Sequence, residues 1–182
     1  MSLTIKYLKT KYKKSSNIVL FSDDKFNTTK FKKYLTTNEF SYVNDLLKVS
    51  DSKKNLLVFE LSSKKKVVLV SIKKNSKSSE IESLGAEFYG SINHGKSSEY
   101  FLISDSLEPN NQNFLSHFLH GLKLKSYTFK KYKTKKKDER RILINVTGEK
   151  NIPSPHTRLK FKALEEGTFY ARDLVSEPGN IL

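Results

Sequence analysis

The sequence predicts a three-layer α/β domain in which a mixed β-sheet lies between helices. Three observations predict this class. Six short apolar runs have the length of strands, and four other segments place apolar residues at helical spacing. Most of the apolar runs are continuous, which is typical of strands covered by helices on both faces. Strands that alternate with helices along a chain favour such a layered arrangement.

The predicted strands differ in how they are buried. Residues 3–8 alternate, with Leu3, Ile5 and Tyr7 on one side, and are predicted to form an edge strand. Residues 18–21, 56–59, 67–70, 100–103 and 142–146 are continuous apolar runs. The runs at 56–59 and 67–70 are joined by a polar segment that includes residues 62–65, which predicts a hairpin. Because a hairpin pairs antiparallel strands, the sheet is expected to be mixed.

Helix starts are assigned from the polar residues that precede each helical pattern. In chain order, Asn38 is predicted to cap the first helix and Ser78 or Ser79 the second, Asn110 or Asn111 opens the third, and the fourth starts after Pro153-Ser154-Pro155. Gly95 is expected to end the second helix. The fourth helix places Leu159, Ala163, Tyr170 and Leu174 on one stripe, and Pro178 ends it. The polar, proline-containing segment 147–155 predicts a linker, so we divide the chain into an α/β domain at 1–148 and a linker with a connecting helix at 149–182.

Composition excludes several classes of protein. The chain has no Cys, so it has neither disulfides nor Cys-based zinc sites. No apolar run approaches the ~20 residues that span a bilayer, and the charged N-terminus has no apolar signal region. We therefore expect a cytoplasmic protein without a membrane partner.

The chain is strongly basic, and its densest charge lies between residues 123 and 141. The net charge is +15, from 34 Lys and Arg against 19 Asp and Glu. The residues in this segment proposed to contact nucleic acid are Lys130, Lys131, Lys133, Lys135, Lys136, Lys137, Arg140 and Arg141. Basic residues beside Tyr127, Phe129 and Tyr132 can hold a phosphate backbone and stack on unpaired bases. The alternative, which we favour, is that the aromatics are core residues and the lysines form a solvated loop.

No group of residues predicts catalysis, cofactor binding or metal binding within this chain. His117 and His120 lie three residues apart and can face the same way on a helix, but no third ligand lies nearby in the sequence. Asp23 and Asp24 follow a strand, where a turn is the simplest interpretation. The chain has no Gly-x-Ser-x-Gly segment and no glycine-rich phosphate loop.

Two segments resemble the leucyl (cytosol) aminopeptidases. Residues 121–133 are similar to a family segment in which Gly-Leu is followed by Tyr, Phe and Tyr-Lys, matched here by Gly121, Leu122, Tyr127, Phe129, Tyr132 and Lys133. Residues 171–180 resemble the family segment that leads from the N-terminal into the catalytic domain, with Ser176 where Asn is usual. Residues 67–72 and 82–89 are also similar to the family, although Ser71-Ile72-Lys73 replaces a glycine-containing end.

The resemblance implies the N-terminal domain of such an enzyme, truncated before the catalytic domain. It implies a sheet between helices similar to macro domains, here without a phosphate-binding pocket. It also implies a parent enzyme that removes N-terminal residues from peptides, with two divalent metals, zinc or manganese, in a homo-hexamer. The family's metal ligands all lie downstream of the matched segments, so no cofactor or metal is expected in this chain, and its nearest partner is the enzyme's own catalytic domain. A basic nucleic-acid-binding module remains the alternative, and a small-ligand pocket has only fold analogy in its favour.

Overall fold

Six strands and four α-helices lie within the part of the chain that the structure describes. The computed structural model describes residues 2–9, 12–13, 16–51, 54–93, 98–108, 113–129, 131–132 and 141–179. The strands are β1 (Ser2–Leu8), β2 (Asn17–Asp23), β3 (Leu56–Ser62), β4 (Lys65–Ile72), β5 (Ser98–Ile103) and β6 (Arg141–Thr147). The helices are α1 (Thr37–Val49), α2 (Ser78–Ile92), α3 (Phe114–Lys125) and α4 (Pro155–Ser176), with short 3₁₀ turns at Thr29–Lys33 and Ser104–Ser106.

The strands form one mixed sheet in the order β1-β6-β5-β2-β4-β3. All neighbouring strands are parallel except β3 and β4, which pair antiparallel through a tight turn at residues 63–64. The predicted hairpin, the mixed sheet and the position of β1 at an edge are therefore confirmed.

Helices cover both faces of the sheet and create two apolar cores, which confirms the predicted three-layer fold. On one face, α2 and α3 pack against alternate side chains of the central strands, with Phe21 and Phe118 in edge contact at 5.5 Å between ring centroids. On the other face, Val43 of α1 packs with Ile18 and Leu20. The continuous apolar runs of β2 and β4 thus serve both cores, as strands buried on both faces must.

The contact between α2 and α3 depends on two glycines. A Cβ atom at Gly121 would lie 1.9 Å from the carbonyl oxygen of Glu82, and one at Gly85 would lie 2.0 Å from the carbonyl oxygen of Phe118. Both obstacles are backbone atoms, which cannot move aside as a flexible side chain does. The two helices therefore approach more closely than any residue with a side chain would allow at these positions.

The residues that cap the first three helices differ from the predicted ones. The first helix is capped by Thr36, whose hydroxyl accepts from the Glu39 N–H while the Glu39 carboxylate accepts from the Thr36 N–H. This reciprocal capping box outweighs Asn38, which lies inside the helix. The second helix begins at Ser78 with Lys77 as its cap residue, and the third begins at Phe114 with Asn113 as its cap residue. The predicted Asn110 and Asn111 lie outside the described residues. Gly95, expected to end α2, lies outside the described residues, and the cap residue at that end is Asn93.

Candidate functional site

The fourth helix is the feature on which the candidate site is built. Ser154 caps it, because the Ser154 hydroxyl accepts from the Thr157 N–H at 3.1 Å, and Pro155 occupies its first turn. Proline is favoured there because its missing N–H would have no partner within the helix. The helix was predicted after residues 153–155 and is confirmed. It lies within the predicted connecting segment 149–182, whose boundary with the domain stays a prediction.

The inner face of α4 packs against α3 and β1 through mixed aromatic and charged contacts. Phe161 lies between the two histidines of α3, with ring centroids 5.1 Å from His117 and 4.9 Å from His120. The Arg158 guanidinium lies 3.6 Å above the ring of Tyr7 in β1, a cation–π contact. These contacts fix the N-terminal half of the helix against the domain.

His117 and His120 hold helices together. His117 Nδ1 lies 2.8 Å from Glu82 Oε1 of α2, and His120 Nδ1 lies 3.1 Å from Glu165 Oε1 of α4. The two rings therefore engage different carboxylates on different helices. Among the described residues, no group of three or more His, Cys, Asp or Glu side chains could hold a metal ion. The structural interpretation of these histidines is the one supported by the geometry.

The C-terminal end of α4 is held by the segment that follows α3. The Tyr127 ring packs against Phe169 at 5.3 Å, and the Tyr127 hydroxyl donates to Asp173 at 2.7 Å. Arg172 donates to the Leu124 carbonyl oxygen at 2.8 Å. Reduced contact with water, and then the hydrogen bond to Asp173, raise the pKa of the Tyr127 hydroxyl. The hydroxyl therefore stays protonated and keeps donating.

Glu177, just beyond the helix, accepts from two residues of the same segment. The Lys131 ammonium donates to one carboxylate oxygen at 2.6 Å, and the Tyr132 hydroxyl donates to the other. The Glu177 side chain is only 10% exposed. Lys131 and Tyr132 hold the pKa of the Glu177 carboxyl below its usual range, while Glu177 raises the pKa of both partners. We refer to Tyr127, Lys131, Tyr132, Asp173 and Glu177 as the clamp.

The clamp unites the two segments whose residues carry the family resemblance. One partner of each contact comes from 121–133 and the other from 171–180, about 45 positions later in the chain. Sequence reasoning identified both segments but did not pair them. The signal available was that each segment carries complementary polar groups, Tyr and Lys in the first and Asp and Glu in the second. The contacts between the two segments fix the end of α4.

The opposite face of α4 is apolar and exposed. The predicted stripe of Leu159, Ala163, Tyr170 and Leu174 faces away from α3, and we call it the outer face. Leu159 and Tyr170 are each 67% exposed. Val175 beside it is 87% exposed, and no residue of the helix is buried. Apolar groups aligned along a helix and left in water are typical of a protein contact surface.

Only two of the basic residues proposed to contact nucleic acid lie within the described chain. Lys131 belongs to the clamp, and Arg141 begins β6 with its side chain exposed. The others, Lys130, Lys133, Lys135, Lys136, Lys137 and Arg140, lie outside the described residues. The structure therefore assigns Lys131 a partner within the chain. The role of the eight basic residues as a nucleic-acid surface stays a prediction.

Two further expectations concern turns and membranes. Asp23 Oδ1 accepts from the N–H groups of Lys25 at 3.2 Å and Asn27 at 2.8 Å, which makes it a turn residue. The turn interpretation of Asp23 is thereby supported. Across the part of the chain that the structure describes, no helix has the length and apolar character needed to cross a membrane.

Comparison with curated proteins identifies relatives of one kind. No family model matches the chain. A probable cytosol aminopeptidase of Clostridium perfringens is 40% identical over 92 residues, covering 47% of this chain and 18% of that protein. A probable cytosol aminopeptidase of Ehrlichia ruminantium is 32% identical over 122 residues, covering 64% of this chain and 24% of that protein. The resemblance to the cytosol aminopeptidases is thereby confirmed. The match spans less than a quarter of either relative.

Solved structures show the same fold. A point mutant of tomato leucine aminopeptidase is similar with a TM-score of 0.68 at 18% identity, covering 100% of this chain and 40% of that one. The bottromycin maturation enzyme BotP, in complex with manganese, gives a TM-score of 0.59 at 11% identity, covering 90% of this chain and 32% of that one. At these identities the likeness concerns the fold, and it agrees with the N-terminal domain of a leucine aminopeptidase.

Proposed function

We propose that this chain is the non-catalytic N-terminal domain of a metal-dependent leucyl aminopeptidase, an enzyme that removes N-terminal residues from peptides. Its role is in assembly and in access to the active site, which a catalytic domain beyond the matched segments supplies. The observation that carries the proposal is the clamp. The two segments that resemble the family meet in space and fix the helix that would lead into that domain.

The outer face of α4 supports a partner on the side away from the domain. Leu159 and Tyr170 are too exposed to stabilise this chain, and they lie two turns and more apart along one line of the helix. A packed neighbour would remove this apolar area from water and gain about 25 cal/mol for each Å². We assign that neighbour to the catalytic domain of the same polypeptide.

The chemistry belongs to the catalytic domain in this proposal. Two divalent metals, zinc or manganese, would activate a water and polarise the scissile carbonyl there. A homo-hexamer in the cytoplasm, with these N-terminal domains outermost, completes the proposal. The manganese present in the BotP structure agrees with the metal class proposed.

The native size of the protein tests the proposal directly. An antibody raised to this chain should detect, in source cells, a polypeptide much longer than 182 residues. The purified 182-residue chain should show no release of leucine from leucine p-nitroanilide with manganese or zinc, whereas the longer polypeptide should release it. A native protein of 182 residues, or peptidase activity in this chain, would contradict the proposal.

The net charge of +15 favours one second candidate, a nucleic-acid-binding module. In that case affinity for DNA should fall steeply with salt, because bound lysines release counterions from the phosphates. Replacing Lys133, Lys135, Lys136 and Lys137 with Gln should abolish binding, and replacing Lys13, Lys25, Lys48 and Lys74 with Gln is the charge-matched control. An affinity that stays flat from low to high salt, or an equal loss in both variants, would reject the candidate.

A further inference from the structure

A cleft of about 450 Å³ lies between β1, α3 and α4. Its volume falls in the range of small-molecule sites. Apolar side chains contributed by all three elements and by the segment before α4 form its walls, namely Ile5, Leu119, Pro153, Phe161 and Phe169. Because the clamp and the Phe161 contacts hold α4 in place, the cleft is an ordered part of the fold. An apolar molecule would bury its surface here.

Charges of both signs line the same cleft. The cationic groups are Lys123, Arg158 and Lys162, and the anionic groups are Glu165 and Glu166. Arg158 and Glu165 are seven residues apart on one helix, which is about 10 Å along its axis. A ligand lying along α4 would therefore meet positive charge toward the helix start and negative charge toward its end.

These charged groups keep unused hydrogen-bonding capacity. Lys123 donates one of its three N–H bonds, to the Leu3 carbonyl oxygen at 3.0 Å. Arg158 stacks on Tyr7 and donates Nε–H to the Pro153 carbonyl oxygen at 2.7 Å, and its two terminal amino groups have no hydrogen-bond partner among the described residues. Glu165 uses Oε1 for His120 and keeps Oε2. The cleft can therefore bind a carboxylate and an ammonium without breaking its own contacts.

Ser116 adds a buried polar group without a partner. Its side chain is 4% exposed and lines the cleft, and its Oγ has no hydrogen-bond partner among the described residues. A buried hydroxyl left unpaired costs free energy, and a ligand oxygen or nitrogen within reach would remove that cost. The hydroxyl thus adds an uncharged polar contact to the cleft.

We propose that the cleft binds an apolar zwitterion, a small molecule that carries one carboxylate, one ammonium and an apolar side chain. A free apolar amino acid and a short apolar peptide share this chemistry. Arg158 with Lys123 binds the carboxylate, Glu165 binds the ammonium, and Leu119 with Phe161 packs against the side chain. The inference does not depend on the proposed peptidase context, because every residue that it uses lies in this chain.

Calorimetric titration of the 182-residue chain tests the inference with four probes. L-leucine and L-leucyl-L-leucine carry both charges, 4-methylpentanoate lacks the ammonium, and 3-methylbutylamine lacks the carboxylate. We expect saturable binding of at least one zwitterion with a Kd of about 1 mM or tighter, and at least tenfold weaker binding of each half-molecule. If leucine binds more tightly, the natural ligand is a free amino acid, and if the dipeptide binds more tightly, it is a short peptide. No saturable heat with either zwitterion, or equal binding of the half-molecules, would overturn the inference.

Variants then locate the site. Arg158→Gln and Glu165→Gln should each weaken zwitterion binding about tenfold, since one charged contact is worth 1.4 kcal/mol or more. Lys74→Gln, in the turn after β4, is the control and should bind as the unaltered chain does. If thermal unfolding shows that Arg158→Gln loosens α4, the exposed Lys162→Gln variant replaces it, with an expected loss of about threefold. Unchanged affinity in Glu165→Gln and in the Arg158 or Lys162 variant would place binding elsewhere and reject the cleft.

Discussion

Two helices flank α3, and they are attached to it by different means. The α2 helix contributes five buried residues, Leu84, Gly85, Phe88, Tyr89 and Ile92, and meets α3 through paired glycines. The α4 helix is longer, at 22 residues, and has no buried residue. It is held by the Phe161 contacts, the His120–Glu165 pair and the clamp. The core depends on α2, whereas α4 is fastened to its surface.

The difference shows how α4 can pack on α3 with one face and leave its other face open to a partner. A helix in the core needs one wide apolar stripe and close contact, which the glycines of α2 and α3 provide. A helix with Phe161 and Phe169 on one side and Leu159 and Tyr170 on the other has two apolar stripes. Only one of them is used within this chain. Directional polar contacts at its ends fix its position while the second stripe stays accessible.

The largest effect that we expect comes from filling the glycine contact. Gly121→Ala should lower the free energy of unfolding by about 3 kcal/mol. Its Cβ would lie 1.9 Å from the backbone carbonyl oxygen of Glu82 in α2, which cannot move aside. Gly90→Ala, in the same α2 helix with nothing within 4 Å, is the matched control and should stabilise by about 0.5–1 kcal/mol. Denaturant unfolding of both variants measures the contrast. Equal free energies of unfolding for the two variants would mean that α2 can move away from α3 at no cost.

The next effect concerns Phe161. Phe161→Ala should cost about 1–2 kcal/mol, since a half-buried ring loses its contacts with His117 and His120. The loss should be local, so hydrogen exchange in α4 should rise while α2 stays protected. Tyr170→Ala removes an aromatic ring from the outer face and is the control. Uniformly faster exchange across α2 would show that α4 is part of the core.

The clamp predicts a dependence on pH at both ends of the scale. Because the pKa of Glu177 is lowered, its stabilisation is present above about pH 4.3 and is lost as the pH falls through the lowered value. The pKa values of Lys131 and Tyr132 are raised. The stabilisation that these two residues contribute is therefore present below about pH 10 and is lost as the pH rises through the raised values.

Glu177→Gln should remove both of these pH dependences. Amide chemical shifts of residues 170–177, followed from pH 3 to pH 11, report whether the end of α4 stays in place. Asp45→Asn, at the exposed ion pair with Lys48, is the control. Identical profiles for the unaltered chain and Glu177→Gln would show that the clamp does not hold the helix.

The smallest effect on this chain should come from the outer face. Leu159→Gln together with Tyr170→Gln should change the free energy of unfolding by no more than about 0.5 kcal/mol, because both side chains are exposed. In a longer polypeptide that carries a catalytic domain, the same pair should reduce assembly, measured by light scattering after size-exclusion chromatography. A large destabilisation of the 182-residue chain would mean that the outer face is not free.

The elements that the sequence predicts are those with a local cause. The hairpin of β3 and β4 follows from two apolar runs and a polar turn, and α4 follows from Ser154 and Pro155. The start of α1 is also encoded locally, because Thr36 is followed three residues later by Glu39. The prediction of Asn38 as the cap residue overlooks this pair. A capping box satisfies two backbone N–H groups at once, which a single side chain does not.

What the sequence does not reveal depends on pairs that are distant in the chain. The stripe of Leu159, Ala163, Tyr170 and Leu174 is predictable from spacing. Its outward direction is set by Phe161, which packs on α3, and by Phe169, which packs on Tyr127. The bond between Tyr127 and Asp173 joins residues 46 positions apart. No periodicity encodes such a pairing, because it depends on how the intervening β6 strand positions α4.

The pairing of β1 with β6 has a consequence for synthesis of the protein. Ser2 lies opposite Arg141, so β1 has no hydrogen-bonding partner in this sheet until β6 has left the ribosome. At about 5–20 residues per second, that interval is on the order of 7–28 s. During this time an unpaired strand is exposed beside a sheet whose other members can already assemble. A chaperone that binds unpaired strands would therefore have longest access to β1 among the strands of this sheet.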